Sequence, residues 1–177
     1  MDISELSDIV KLHGNAIYGF CYNLTKNKND ADDLYQESFL KATELCYKID
    51  KDNNTKSFII SLAVGIWKNQ RRKYAWRRRI VQMYEFNDEL NNSSLLKDDL
   101  TPEEIAIANE RDKLIQEAAN ALKDKYKIPL YMYYTAELSV GDIAKALKIP
   151  YGTVKSRLHK ARQIIKDCME ANEYEKF

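Results

Sequence analysis

The 177-residue chain holds only 5 glycines and 3 prolines, with no proline before Pro102. So thin a supply of turn formers excludes collagen-like and loop-rich architectures, and no stretch alternates apolar and polar residues as a half-buried strand must. Cysteine is as scarce. Cys21, Cys46 and Cys168 lie far apart, which excludes both a disulfide framework and a zinc-ligand spacing. Nowhere do eighteen apolar residues run together, and the N-terminus lacks a basic stretch followed by an apolar one. A cytoplasmic protein with no membrane insertion is expected. The chain also lacks a net charge worth the name, at +1, but this total conceals a pattern. Residues 1–80 carry +4, residues 81–112 carry −7 and residues 113–177 carry +4, so two mildly basic ends flank an acidic middle.

What is present is helical periodicity. Leu6, Ile9, Val10, His13, Ile17, Phe20, Cys21 and Leu24 mark one amphipathic helix, which a polar break at Asn27 to Asn29 ends. Asp30 is placed to cap a second, whose inner face runs through Leu34, Ser38, Phe39, Ala42, Leu45, Cys46 and Ile49. After a polar loop, Ser57 can start a third, with Ile59, Leu62, Ala63, Ile66 and Gln70 in register. Thr101-Pro102-Glu103-Glu104 is a strong helix start, because Thr caps, Pro suits the first helical position and acids complement the helix dipole. Leu114, Ile115, Ala118 and Leu122 then form a stripe, and Ile128 to Leu138 reads as the next helix. The Asn-, Ser- and Asp-rich stretch between the two groups, Tyr84 to Leu100, reads as a linker.

Residues 139 to 163 read as a helix-turn-helix. Ser139 can cap its first helix with Asp142 completing a capping box, Ile143, Ala144 and Leu147 supply an apolar face, and Lys148-Ile149-Pro150 stops it. In the second helix Val154, Leu158, Ala161 and Ile165 recur at spacings of four, three and four, making one buried stripe. Lys155, Arg157, His159, Lys160 and Arg162 lie between them with no acid, a cationic face suited to the major groove. A second basic patch closes the third helix of the chain: seven cations from Lys68 to Arg79, with Trp67, Tyr74 and Trp76 interleaved. Cations bind phosphates and aromatics offer faces to unstacked bases. Either patch alone could be a solvated surface, whereas two patches on two domains point to nucleic acid.

Catalysis finds little support. His13 and His159 fall in different domains, no Ser or Cys sits in a nucleophile motif, and no Gly-rich phosphate loop exists. The Asp50-Lys51-Asp52-Asn53-Asn54 loop mimics the start of a calcium loop, but Thr55 stands at position six and Ser61 at position twelve, where Gly and Glu are needed. No enzyme, no metal and no cofactor is expected. A free-standing helix-turn-helix regulator, dimerising on a palindrome, is the alternative among DNA binders.

The order of DADDLYQESFLKA (30–42), the basic-aromatic helix (67–79), an acidic linker and LSVGDIAKALKIPYGTVKSRLHKAR (138–162) resembles a bacterial RNA polymerase sigma factor. The resemblance is to the extracytoplasmic-function group of the sigma-70 family. It implies an all-α fold: two small helical bundles, sigma region 2 over 1–82 and sigma region 4 with its helix-turn-helix over 103–177, joined by a flexible acidic linker over 83–102. The implied partners are core RNA polymerase, promoter DNA and an anti-sigma factor, and the implied activity is promoter-specific initiation in a stress or envelope response.

The resemblance also assigns residues. Asp33, Leu34, Gln36 and Glu37 match its polymerase-docking motif; Lys68, Asn69, Arg72 and Lys73 match the helix that reads and melts the minus-ten element. Lys155, Ser156, His159 and Lys160 match the minus-thirty-five readers, with Arg157 and Arg162 suited to phosphates or an edge of the site. Gly65 departs from the pattern, since the family commonly places Asn there. The resemblance further implies that the acidic segment, 84–112, is a spacer lying in a positively charged polymerase channel.

Overall fold

The computed structural model describes residues 3–45, 55–84 and 106–174, with side chains over 8–45, 55–79 and 111–172. Seven helices make up these residues: α1 (Ile3–Thr25), α2 (Lys28–Glu44), α3 (Thr55–Tyr84), α4 (Ala106–Ala121), α5 (Asp124–Tyr134), α6 (Val140–Leu147) and α7 (Tyr151–Tyr174). The linker expected from residue 83 starts later, because Met83 and Tyr84 still belong to α3; its remainder, the Thr101-Pro102 helix start, Cys46 and Ile49 lie outside the described residues.

The first three helices form one bundle. The stripe Ile17, Phe20, Cys21 and Leu24 of α1 meets Ala31, Leu34 and Ala42 of α2 and Ile59, Ile60, Ala63, Val64 and Trp67 of α3. Buried Ser38 stays satisfied by donating to the Leu34 carbonyl at 2.6 Å. Gly14 leaves room for α2 beside α1, since a Cβ there would lie 3.0 Å from the Tyr35 hydroxyl and push that side chain aside. Left-handed Lys26 (φ 59°) ends α1. The cap of α2 is not Asp30 but Asn27, whose side chain accepts from the Asp30 backbone N–H at 3.1 Å. Asp30 instead places its charge in the first turn, where it favours the helix dipole.

Helices α4 to α7 form the second bundle, around Leu122, Ile128, Leu130, Met132, Leu138, Ile143, Val154, Leu158 and Ala161. The helix expected over Ile128 to Leu138 begins four residues earlier and ends at Tyr134. It runs through buried Pro129, the sixth residue of the helix, which forfeits one backbone hydrogen bond. Left-handed Glu137 (φ 51°) then turns the chain so that Leu138 is buried after the helix rather than within it. Ser139 caps α6, its hydroxyl accepting from the Asp142 N–H at 3.1 Å and donating to the Asp142 carboxylate at 2.7 Å. Left-handed Lys148 (φ 54°) ends α6, its N–H returning to the carbonyls of Ala144 and Lys145. Among the described residues no helix is long and apolar enough to cross a membrane.

The two bundles touch. Helix α1 packs on α5 and α3 on α6. Gly19 lets this happen closely, since its absent Cβ would stand 3.3 Å from the Thr135 methyl. Asn23 donates to Thr135 Oγ1 at 3.2 Å, Ser57 donates to the Asp142 carbonyl at 3.3 Å, and Arg71 pairs with Asp124 at 2.6 Å.

Candidate nucleic-acid and polymerase interfaces

Three faces carry the expected residues. On α2 the apolar stripe Ala31, Leu34, Ser38 and Ala42 points inward, so Asp33, Gln36 and Glu37 are left exposed on the far side. Leu34, grouped with them by the motif, is fully buried and can serve that face only by holding α2 in the bundle. The same outer face holds a residue that sequence reasoning missed. Leu40 is 67% exposed and lies three residues beyond Glu37 and seven beyond Asp33, an apolar centre ringed by polar groups. Its sequence signal was the adjacent Phe39, which takes the partly buried position and forces Leu40 outward. The half-buried acid beside this face is already engaged: Asp32 accepts from the Tyr18 hydroxyl at 2.8 Å, which raises the pKa of that phenol.

Helix α3 emerges from its bundle as a rod, every side chain from Lys68 to Arg79 being exposed. Lys68, Asn69, Arg72 and Gly65 line one open cleft, with Lys73 one residue further round beside Asn69 and Arg72. Arg72 donates to the Asn69 carboxamide, which orients both. A Cβ at Gly65 would meet nothing within 4 Å, so the missing Asn side chain is not excluded by space. Tyr74 and Trp76, 66% and 65% exposed, are free to stack, whereas Trp67 is buried in the core. Gln70 ties this helix to the outer face of α2, donating to Glu37 at 2.9 Å.

On α7, Val154, Leu158 and Ala161 are buried and Ile165 partly so, which turns Lys155, Ser156, His159 and Lys160 to solvent. The Lys155 ammonium lies 5.1 Å from the ring centroid of exposed Tyr151, an aromatic that the sequence reading passed over at the start of this helix. Arg157 is half-buried. Arg162 turns aside: its Nε donates to the Tyr134 hydroxyl at 2.9 Å and its guanidinium sits 5.6 and 5.7 Å from the Tyr133 and Tyr134 rings. It borders an apolar groove with Leu130, Tyr131, Ile165 and Met169 rather than the Ser156–His159 face. Cys21 is no reactive group, because burial pushes its thiol up to about 12.

Comparison with known proteins agrees with this division. Residues 9–77 match the family described as Sigma-70 region 2, and residues 112–165 match Sigma-70, region 4, together spanning well over half of the chain. The ECF RNA polymerase sigma factor SigW of Bacillus subtilis is 28% identical over 166 residues, covering 93% of this chain and 89% of that protein. The ECF RNA polymerase sigma-E factor of Haemophilus influenzae is 27% identical over 147 residues, covering 81% and 77%. Among solved structures, the sigma factor RpoE from Bartonella quintana, crystallised with the anti-sigma factor NepR, superimposes with a TM-score of 0.69 at 20% identity, covering 94% of this chain and 97% of that one. CnrH, solved with the cytosolic domain of CnrY, gives 0.67 at 14% identity, covering 96% and 90%.

Proposed function

This chain belongs to the sigma-70 family as an RNA polymerase sigma factor of the extracytoplasmic-function group, and from that premise we propose how its faces divide the work of promoter-directed transcription. Residues 1–82 form the region that docks on core polymerase and opens the minus-ten element, 83–102 a linker, and 103–177 the region that reads the minus-thirty-five element. Sigma factors of this kind are initiation factors and the chemistry of RNA synthesis stays with the polymerase.

On this reading Asp33, Gln36, Glu37 and Leu40 form the polymerase contact, a solvated polar ring around one apolar anchor. Lys68, Asn69, Arg72 and Lys73 meet the minus-ten strand, the cations taking phosphates and Asn69 offering the donor and acceptor that a base edge requires. Exposed Tyr74 and Trp76 supply stacking surfaces for bases leaving the duplex. Lys155, Ser156, His159 and Lys160 enter the major groove at minus thirty-five. Arg157 and Arg162 serve its edge, although the tyrosines holding Arg162 must first release it. A cytoplasmic location and a role in a stress or envelope response fit the group. An anti-sigma partner fits as well, since the structurally similar Bartonella protein was solved with one.

The observation that carries the reading is that the exposed Asp33, Gln36 and Glu37 face of α2 and the exposed cationic face of α7 coexist in one chain. A free-standing regulator would need only the second. Reversing both charges, Asp33→Lys with Glu37→Lys, is expected to abolish co-purification with core polymerase while leaving the circular dichroism of the helices intact, because neither residue touches the apolar stripe. A folded double variant that still bound core as wild type does would refute the docking assignment.

A further inference from the structure

Arg71 is not among the residues that the family pattern assigns, yet its position is unusual. It continues the buried stripe Ile60, Val64 and Trp67 of α3 one turn beyond the core, so it leaves the bundle toward α5. Its guanidinium lies 4.8 Å from the Trp67 ring centroid, and its Nη1 donates to Asp124 at 2.6 Å. Asp124 opens α5 and borders the same cleft as Gly65, Lys68, Asn69 and Arg72. A carboxylate of the second bundle therefore stands among the residues given above to minus-ten DNA.

Resting on that functional reading, we propose that Asp124 is an internal stand-in for a DNA phosphate. It holds Arg71, keeps the second bundle closed across the minus-ten face in the free chain, and gives way when Arg71 takes a promoter phosphate. Guanidinium recognises both anions through the same charge-assisted hydrogen bonds, so Arg71 stays paired through the exchange while the released, half-exposed Asp124 carboxylate returns to water. The promoter demands such an opening. Elements named for minus ten and minus thirty-five lie ~25 base pairs apart, ~85 Å at 3.4 Å per pair. A folded chain of this length has a radius of gyration of only ~16 Å. The closed arrangement reaches one element at most.

The contact is also built to release. The Arg71 and Asp124 side chains remain 57% and 45% exposed, so salt screens the pair and water or phosphate can substitute for either partner. Other hydrogen bonds across the same junction, Asn23 to the Thr135 hydroxyl and Ser57 to the Asp142 backbone carbonyl, each rest on one small polar donor of the kind that water can replace.

The test compares the full chain with Asp124→Asn, Asp124→Lys, Arg71→Ala and the swap Arg71→Glu with Asp124→Lys. Small-angle scattering reads closure of the free chain, and titration with core polymerase and then with a minus-ten fork-junction DNA reads assembly and DNA contact. Both single changes at Asp124, and Arg71→Ala, should enlarge the free chain and strengthen core binding by ~2–5-fold, the ceiling for an exposed pair. The swap should close it again. Only the variants lacking Arg71 should then bind the fork more weakly as holoenzyme, with the salt slope reduced by about one. Unchanged dimensions in the single variants would overturn the latch, and unchanged fork binding by the Arg71→Ala holoenzyme would overturn the phosphate contact. Failure of the wild-type chain itself to bind core would instead refute the sigma-factor assignment, with scattering still deciding whether the pair closes the chain.

Discussion

Gly65 sits in the interior of α3, exposed, with open space where its side chain would be. A helical glycine of this kind costs stability through backbone entropy alone, because no neighbour benefits from its missing Cβ. Gly65→Ala should therefore stabilise the protein by ~0.5–1 kcal/mol. For a domain of this size that is a rise in Tm of ~1–4 °C by thermal unfolding. Gly65→Asn should gain less, ~0.3 kcal/mol, since Asn is a poorer helix former than Ala. Function should separate the two. The new carboxamide would project beside Lys68 and one turn before Asn69, from the cleft given to the minus-ten strand. A base contact made there is worth ~1–3 kcal/mol and would change preference at a single minus-ten position by ~5-fold or more. Competition among fork templates carrying each base at each minus-ten position, read with assembled holoenzyme, measures this directly. If Gly65→Ala lowers Tm, the backbone at this position needs glycine and the reasoning fails. If the Ala and Asn variants share one base preference, this face of α3 does not read bases.

The remaining expectations concern the second bundle and its junction with the first. Lys155→Ala and Lys160→Ala should each weaken minus-thirty-five recognition by ~1–3 kcal/mol where a base contact is lost, leaving core affinity unchanged; unaltered transcription from a cognate promoter in both would remove α7 from the assignment. Lys26, whose ammonium lies 5.2 Å from the Tyr131 ring centroid, has its pKa pushed down to about 8, first by burial and then by the Lys127 ammonium. The folded state thus binds this proton less tightly than the unfolded chain, so Lys26 by itself adds stability as pH rises between about 8 and 10.5, against Cys21, whose raised thiol subtracts stability from about 9 upward. Lys26→Met should give a lower slope of stability against pH than the wild type in urea denaturation between pH 8 and 9.5, where the Cys21 contribution is common to both proteins. Equal slopes in the two proteins would contradict the assignment of the slope to Lys26.

Local features were legible because they are written in short-range patterns. Ser139 and Asp142 announced a cap through their spacing, and the Val154, Leu158, Ala161 stripe determined which side of α7 meets solvent. Errors came where two local signals competed. Asn27 and Asp30 are both good caps, and the choice fell to the residue whose side chain reaches the N–H three positions on. The helix expected from Ile128 starts at Asp124 instead, and tertiary packing of Ile128, Leu130 and Met132 carries it through Pro129. Leu34 belongs to the docking motif as a string but to the core as a side chain, because motif order ignores the 100° turn per residue. The contact between bundles was not legible at all. Arg71 and Asp124 are 53 residues apart, and no periodicity within either helix says that they meet.

Reconstituted initiation tests the central claim most directly: purified core polymerase is supplied with this chain, and transcript start sites are mapped on a fragment library of the host genome. The account predicts starts confined to sites sharing one minus-ten and one minus-thirty-five sequence, dependent on the chain, and lost together with core binding in the Asp33→Lys, Glu37→Lys variant. Sequence-specific DNA binding by the chain alone, with no association with core and no change in where transcription begins, would contradict it.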